Sequence, residues 1–204
     1  MTEISDFLKY IMPFIIFSLG VFTAPLVEYL KEKRKATRIK KTLTLEIKDE
    51  IKYLSIRLKN MAKALQDAKK MKNGEPEPGD IGKYVPRAIY MYFLKQAMDF
   101  SFIEFNEKQR NAMKSLFVQI EATNEYIKVL KSIEVTSATV DEVIDSYKRY
   151  LYTGSFMLNT MRVIINKEDL NLNESDKDII KEVFNELKIE MSIDEILIKR
   201  TLKC

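Results

Sequence analysis

Residues 10–27 read YIMPFIIFSLGVFTAPLV, an uncharged run of eighteen positions between Lys9 and Glu28. Tyr29 and Leu30 follow Glu28 and lengthen the apolar stretch. At about 1.5 Å per residue, eighteen to twenty-two residues span roughly 27 to 33 Å, the thickness of the hydrocarbon core of a bilayer. A buried core helix is the alternative, but it is normally shorter and carries a polar stripe. We therefore predict that residues 1–30 hold a leader and one transmembrane helix.

The flanking charges predict how this helix is oriented. Glu3 and Asp6 precede the span, whereas a cleaved signal peptide begins with a basic region. Seven basic residues follow the span against one acid, Glu32: Lys31, Lys33, Arg34, Lys35, Arg38, Lys40 and Lys41. Because basic flanks stay on the cytoplasmic side, we expect the N-terminus outside and residues 31–204 in the cytoplasm. Richness in Lys, Ile and Asn suggests a bacterial source, and hence a single-pass protein of the inner membrane.

The same seven basic residues are expected to contact anionic lipid headgroups. A Lys or Arg near the membrane surface contributes about 1 kcal/mol of attraction. Nucleic acid is the rival partner, since residues 31–72 carry fifteen basic and five acidic residues. Tyr53 is the only aromatic residue between positions 30 and 83, so base-stacking side chains are lacking. We favour lipid and expect no nucleic-acid partner.

Two small residues within the span, Gly20 and Ala24, lie four positions apart. This spacing puts them on one helix face, where a second helix can approach closely. Such pairs also arise by chance in apolar segments. We take Gly20 and Ala24 as the candidate site for association of transmembrane helices.

Residues 31–71 carry an apolar stripe at spacings of three and four, from Ile39 through Leu43 and Ile47 to Ala68, which predicts one long helix. Without Gly or Pro between Leu26 and Lys72, the membrane helix can continue into it. The helix is longer than those that follow, so we expect an uncovered apolar seam and a homo-oligomer.

The remainder is predicted to be helical, which makes the fold all-α: a transmembrane helix followed by a cytoplasmic bundle of about five helices. Three of five glycines and three of five prolines fall in residues 72–88, so 72–87 is a loop, either a linker or a functional lid. Periodicity and caps place the other helices at about 86–105, 106–133, 139–166 and 175–202. Gly154 lies on the seam of the fourth of the five helices and should admit a bulky neighbour.

The predicted helix 86–105 is rich in aromatic residues: Tyr90, Tyr92, Phe93, Phe100, Phe102 and Phe105. Such a helix is usually buried on most sides of a bundle. The alternative is a surface that binds a partner or touches the bilayer. We favour burial.

Residues for catalysis are few in this sequence. Histidine is absent, Cys204 is the only cysteine, and no glycine-rich phosphate loop occurs. Glu182, Glu186 and Glu190 recur at four-residue spacing, but the interleaved lysines favour a solvated surface over a cation site. We expect no enzyme, no cofactor and no metal.

The sequence therefore favours a membrane-anchored sensor, scaffold or regulator that acts by binding an unidentified protein partner. A second hypothesis is a stress- or phage-defence effector whose transmembrane helices cluster and permeabilise the bilayer. An unrecognised enzyme is a third.

Overall fold

A computed structural model describes residues 2–75, 84–136, 138–165 and 175–197 of the chain, and side chains from residue 11 onward. In this part of the chain all regular structure is helical, which confirms the all-α prediction. The five α-helices are α1 (Thr2–Lys72), α2 (Tyr92–Phe100), α3 (Glu107–Ser132), α4 (Val140–Ile165) and α5 (Asp176–Leu187). Two 3₁₀ turns lie at Phe102–Glu104 and Ile193–Glu195.

Helix α1 is unbroken over 71 residues. The apolar segment (residues 10–30) and the basic segment (residues 31–72) therefore form one continuous helix of roughly 105 Å. Pro13 and Pro25 both lie inside it. The helix ends where Gly74 adopts a φ of 72°, a left-handed conformation that glycine reaches without steric cost. The Gly74 amide then donates to the Met71 carbonyl at 3.1 Å, which satisfies a helix-terminal acceptor.

Helix α2 is shorter than predicted, because Pro86 does not start a helix. Residues 84–91 have no regular structure, and Met91 is extended with a φ of −119°. The Asn124 side chain of α3 accepts from the Ile89 amide at 2.8 Å and donates to the Ile89 carbonyl at 2.9 Å. With both backbone groups of Ile89 bound to Asn124, a helix through this residue would lose these bonds.

Helix α4 lies at the centre of the bundle, where it packs against α1, α3 and α5. It runs antiparallel to α1, since Asp141 at its start pairs with Lys72 at the end of α1, at 2.5 Å. Its last turn lies beside the start of α3, because Gln109 donates to the Ile164 carbonyl at 2.7 Å. The start of α3, as predicted, carries a capping box formed by Asn106 and Gln109.

The apolar stripe of α1 is covered within the single chain. All of these residues are buried: Ile39, Leu43, Ile47, Leu54, Leu58, Met61, Leu65 and Ala68. Helix α2 covers the part nearer the apolar segment and α4 covers the rest. The predicted uncovered seam is therefore wrong, and with it the argument that this seam holds an oligomer together.

The end of the chain differs from the predicted helix 175–202. Helix α5 stops at Leu187, and Lys188 takes the left-handed conformation with a φ of 55°. The following residues return to α1, where Lys69 pairs with Glu195 at 2.5 Å. Residues 198–204, including Cys204, lie outside the described residues, as do residues 76–83 of the predicted loop 72–87.

Candidate membrane-anchoring site

The first part of α1 presents an apolar surface to its surroundings on every side. Among the described residues, one helix is long and apolar enough to cross a membrane, and none of its apolar window is buried within the chain. The large side chains Phe14, Phe17 and Phe22 are all exposed. The described bundle thus leaves this segment uncovered, which argues against the alternative of a buried core helix.

The structure places Gly20 and Ala24 on an open part of this segment. Nothing lies within 4 Å of the position that a Cβ on Gly20 would take. The Thr23 hydroxyl donates back to the Gly20 carbonyl at 3.3 Å, which satisfies this polar group inside the helix. The face has room for a second helix, and helix association there stays a prediction.

The seven basic residues after the apolar segment divide into two groups. Six are exposed, and four of these share the face opposite the buried Ala36 and Ile39: Lys31, Arg34, Arg38 and Lys41. Lys33 and Lys35 are exposed on other sides of the helix. All six side chains are accessible, as lipid contact would require.

Lys40 is the exception among the seven. It is half-buried, its ammonium donates to the Glu104 carbonyl at 2.5 Å, and it lies 4.7 Å from the centre of the Phe105 ring. Lys35 lies 4.1 Å from the centre of the Phe100 ring. Both lysines therefore hold the turn between α2 and α3 against α1, a role that the sequence did not reveal.

The turn between α2 and α3 is a structural feature that the sequence prediction missed. Of the aromatic residues predicted to be buried, Phe105 is buried, but Tyr90, Tyr92 and Phe100 are exposed. Ile103 is 86% exposed. A signal was present in the sequence, because Phe100, Phe102 and Phe105 cannot all share one face of a helix. The expectation of a helix buried on most sides is wrong for this turn.

Glu46 of α1 fixes where α2 begins. Its two carboxylate oxygens accept from the Tyr92 amide at 2.8 Å and the Phe93 amide at 3.0 Å. A carboxylate at this position satisfies free amides and complements the positive end of the helix dipole. Desolvation by burial nevertheless raises the pKa of Glu46, and the amides of Phe93, Tyr92 and Leu94 only partly oppose it.

A second polar group is buried one turn further along α1. Glu50 accepts from Arg57 at 2.6 Å, and both side chains are largely buried. Burial raises the pKa of Glu50, and the Arg57 charge opposes that shift. Burial likewise raises the pKa of the Tyr150 phenol of α4, against the opposing charge of Arg57. The Arg57 charge therefore acts on a carboxylate of α1 and on a phenol of α4 beside the core.

Two further polar residues have structural partners. The Glu186 carboxylate accepts from Arg162 of α4, and the buried Ser155 hydroxyl donates to the Leu151 carbonyl at 2.8 Å. Within the described residues, no group of three or more Asp, Glu or Cys side chains is placed to hold a metal ion.

Comparisons with family models, with curated proteins and with solved structures each give no match for this chain.

Proposed function

We propose that this chain is a membrane-anchored helical protein that acts without catalysis, as a sensor, scaffold or regulator that binds protein partners. The observation that carries the proposal is the continuity of α1. One unbroken helix supplies both the exposed apolar segment and the longest element of the bundle core. A bundle joined in this way is held at a fixed distance from the bilayer, as a scaffold requires.

The same proposal includes a location. The N-terminus lies outside a bacterial inner membrane and the bundle lies in the cytoplasm, at the side of the basic residues Lys31 to Lys41. The exposed positions of six of these seven residues support this orientation, because a cation in contact with headgroups must be accessible.

Apolar side chains exposed on the bundle support a protein partner. Phe117 and Val118 of α3 are both exposed, and they lie about three helical turns after the start of α3 at Glu107. Adjacent exposed apolar residues on a helix are a common feature of protein interfaces.

A second function, permeabilisation of the bilayer by clustered transmembrane helices, is favoured by one observation. The face of Gly20 and Ala24 is open, with nothing within 4 Å of a Cβ position at Gly20. Close helix packing across such a face would bring several spans together.

Membrane-potential measurements on bacterial cells that overexpress the full chain separate the two functions. A scaffold leaves the potential unchanged, both in the wild type and in Gly20→Leu. An effector depolarises the cells, and Gly20→Leu, which fills the face, restores the potential. Depolarisation by the wild type would overturn the scaffold proposal.

A photo-crosslinking residue at Val118 provides the positive test. The proposal expects a discrete adduct in cells with a protein other than this chain, and none from an exposed polar position about 20 Å further along the same helix, Lys131. Adducts at twice the mass of the chain, from both positions, would contradict it.

A further inference from the structure

The direction of α2 brings its end close to the apolar segment of α1. The start of α2 is bound at Glu46, through the Tyr92 and Phe93 amides. Its last residue, Phe100, lies against Lys35, which precedes Glu46 by eleven positions on α1. Helix α2 therefore runs antiparallel to α1, and the turn that follows it points toward the end of the apolar segment.

The distance from that turn to the apolar segment is short. Lys35 lies five positions after Leu30, about 7 to 8 Å along the helix axis. Residues 11–30 fill a hydrocarbon core of about 30 Å, and the headgroup layers add roughly 5 to 8 Å on each side. The turn therefore stands at the depth of the headgroups when α1 spans a bilayer.

The surface of the turn is apolar and exposed. Phe100 is 57% exposed and Ile103 is 86% exposed. Together with the half-buried Phe102, they border a shallow depression of about 500 Å³ that Asp99 and Arg110 complete. Inserting bulky apolar side chains of a turn into an apolar layer removes them from water, which is favourable in free energy.

Cations surround these apolar side chains. The Lys114 ammonium and the Arg110 guanidinium of α3 lie 5.6 Å and 5.9 Å from the centre of the Phe102 ring, and Lys35 lies over Phe100. Asp99 and Glu104 are the acids of the turn, and the Glu104 carbonyl is bound by Lys40. Apolar residues within a basic surround match the chemistry of an anionic lipid surface.

We propose that the turn formed by Phe100, Phe102 and Ile103 is a second membrane contact, which inserts into the anionic headgroup layer beside the anchoring helix. The bilayer is favoured over a second copy of the chain because two copies would bring the basic residues around their turns together, and like charges repel. The inference rests on the proposed anchoring of α1. A bundle held at two points would keep one fixed face toward the membrane.

The chain has no tryptophan, so a single tryptophan reports its own depth. We would place Ile103→Trp in the full chain, reconstituted into nanodiscs of phosphatidylcholine and phosphatidylglycerol with bromine near the start of the acyl chains. Phe17→Trp lies in the apolar segment and is the positive control. Tyr53→Trp is exposed on α1, about 27 Å beyond Lys35, and is the negative control.

The proposal expects bromine to quench Phe17→Trp and Ile103→Trp by at least twofold and to leave Tyr53→Trp unchanged. Replacing phosphatidylglycerol by phosphatidylcholine should reduce quenching at position 103 and not at position 17. If bromine quenches Phe17→Trp but leaves Ile103→Trp as unquenched as Tyr53→Trp, the second contact is overturned. The proposed anchoring of α1 is unaffected by that result. Loss of quenching at position 17 would refute the anchor and the contact together.

A third outcome identifies a second copy as the occupant. In that case the Ile103→Trp emission would shift to the blue with the number of chains per nanodisc and would be insensitive to bromine, which overturns the proposal. The double variant Phe100→Ser/Ile103→Ser gives a matched test without tryptophan. It should raise by several-fold the rate at which a protease cleaves the α2–α3 turn in nanodiscs and leave that rate unchanged in detergent.

Discussion

Leu58 of α1 packs onto Gly154 of α4 so closely that a Cβ on the glycine would stand 2.8 Å from the Leu58 Cδ2 atom. The two residues lie where α1 and α4 pack together, and both are buried. The prediction that Gly154 admits a bulky neighbour is confirmed, and Leu58 is that neighbour. The absence of a side chain at one position sets the distance between the two helices.

Gly154→Val should destabilise the bundle by about 1 to 3 kcal/mol, because an added branched side chain must displace the buried Leu58. Gly154→Ala should cost less, since alanine regains about 1 kcal/mol of helix propensity. Urea unfolding of the full chain in mild detergent, followed by circular dichroism, measures both.

A rescue variant makes this prediction specific. Leu58→Ala removes the atom that the new side chain meets, so the Gly154→Val/Leu58→Ala pair should lose less stability than the two single changes added together. Strict additivity would show that the 2.8 Å approach does not limit the packing.

Glu46→Ala should loosen α2 by about 1 kcal/mol, because the Tyr92 and Phe93 amides lose their shared acceptor. Hydrogen exchange at residues 92–94 should accelerate by roughly fivefold, while exchange in α3 stays constant. Asp49→Ala is the matched control, since Asp49 lies on the same helix and its side chain is exposed. Equal acceleration in both variants would contradict the cap.

Glu46 also predicts a pH dependence. Because burial raises its pKa in the folded state, the group contributes stability that is fully present below pH 4.5 and is lost as the pH rises through the folded value. The stability of the wild type relative to Glu46→Gln should therefore fall as the pH rises above 4.5. Urea titrations of both proteins at each pH measure this difference, and a rising difference would refute the effect of burial.

The Tyr147 phenol predicts a loss of stability in alkali. Burial raises the pKa of Tyr147 to about 12, and its hydroxyl donates to the Tyr84 carbonyl at 3.3 Å. Since an unfolded tyrosine titrates near pH 10, this contribution is present below pH 10 and is lost between pH 10 and 12. Tyr147→Phe should flatten that loss, as followed by thermal unfolding and by phenolate absorbance. An unchanged alkaline slope would show that Tyr147 is not the group responsible.

The basic residues after the apolar segment can be tested by charge reversal. Replacing Lys31, Lys33, Arg34 and Lys35 by Glu should weaken or invert insertion, as reported by fusions at both ends of the chain. The control is the same reversal at Lys52, Lys59, Lys63 and Lys70, which are exposed on α1 but too far from the span to set its orientation. A wild-type fusion after Cys204 that reports the outside would contradict the proposed orientation.

Replacing Leu43 and Ile47 by Lys tests whether the stripe of α1 is bundle core or an interface between copies of the chain. Both residues are fully buried, so two unpaired charges would enter the core at a cost of several kcal/mol. The double variant should lose much of its helical circular dichroism in detergent. Retained helicity with a smaller assembly size would instead support an interface between copies of the chain.

The sequence by itself determined what depends on neighbouring residues. Eighteen uncharged positions, a stripe at spacings of three and four, and the lack of Gly or Pro between Leu26 and Lys72 were enough for α1, apart from the continuity through Pro25. Asn106 and Gln109 marked the start of α3, and Gly154 marked a close contact on α4. Helix periodicity and caps act over a few residues, so they can be read locally.

The tertiary structure decided everything that depends on residues far apart in the chain. Asn124 binds the backbone of Ile89, 35 positions away, and so keeps that residue out of a helix. Glu46 accepts from the Tyr92 amide, 46 positions away, and so sets the start of α2. The covering of the α1 stripe and the use of Lys40 by the α2–α3 turn depend on the register between helices in the same way. That register is set by which buried surfaces fit together, and a hydrophobic pattern along one segment carries no information about its partner.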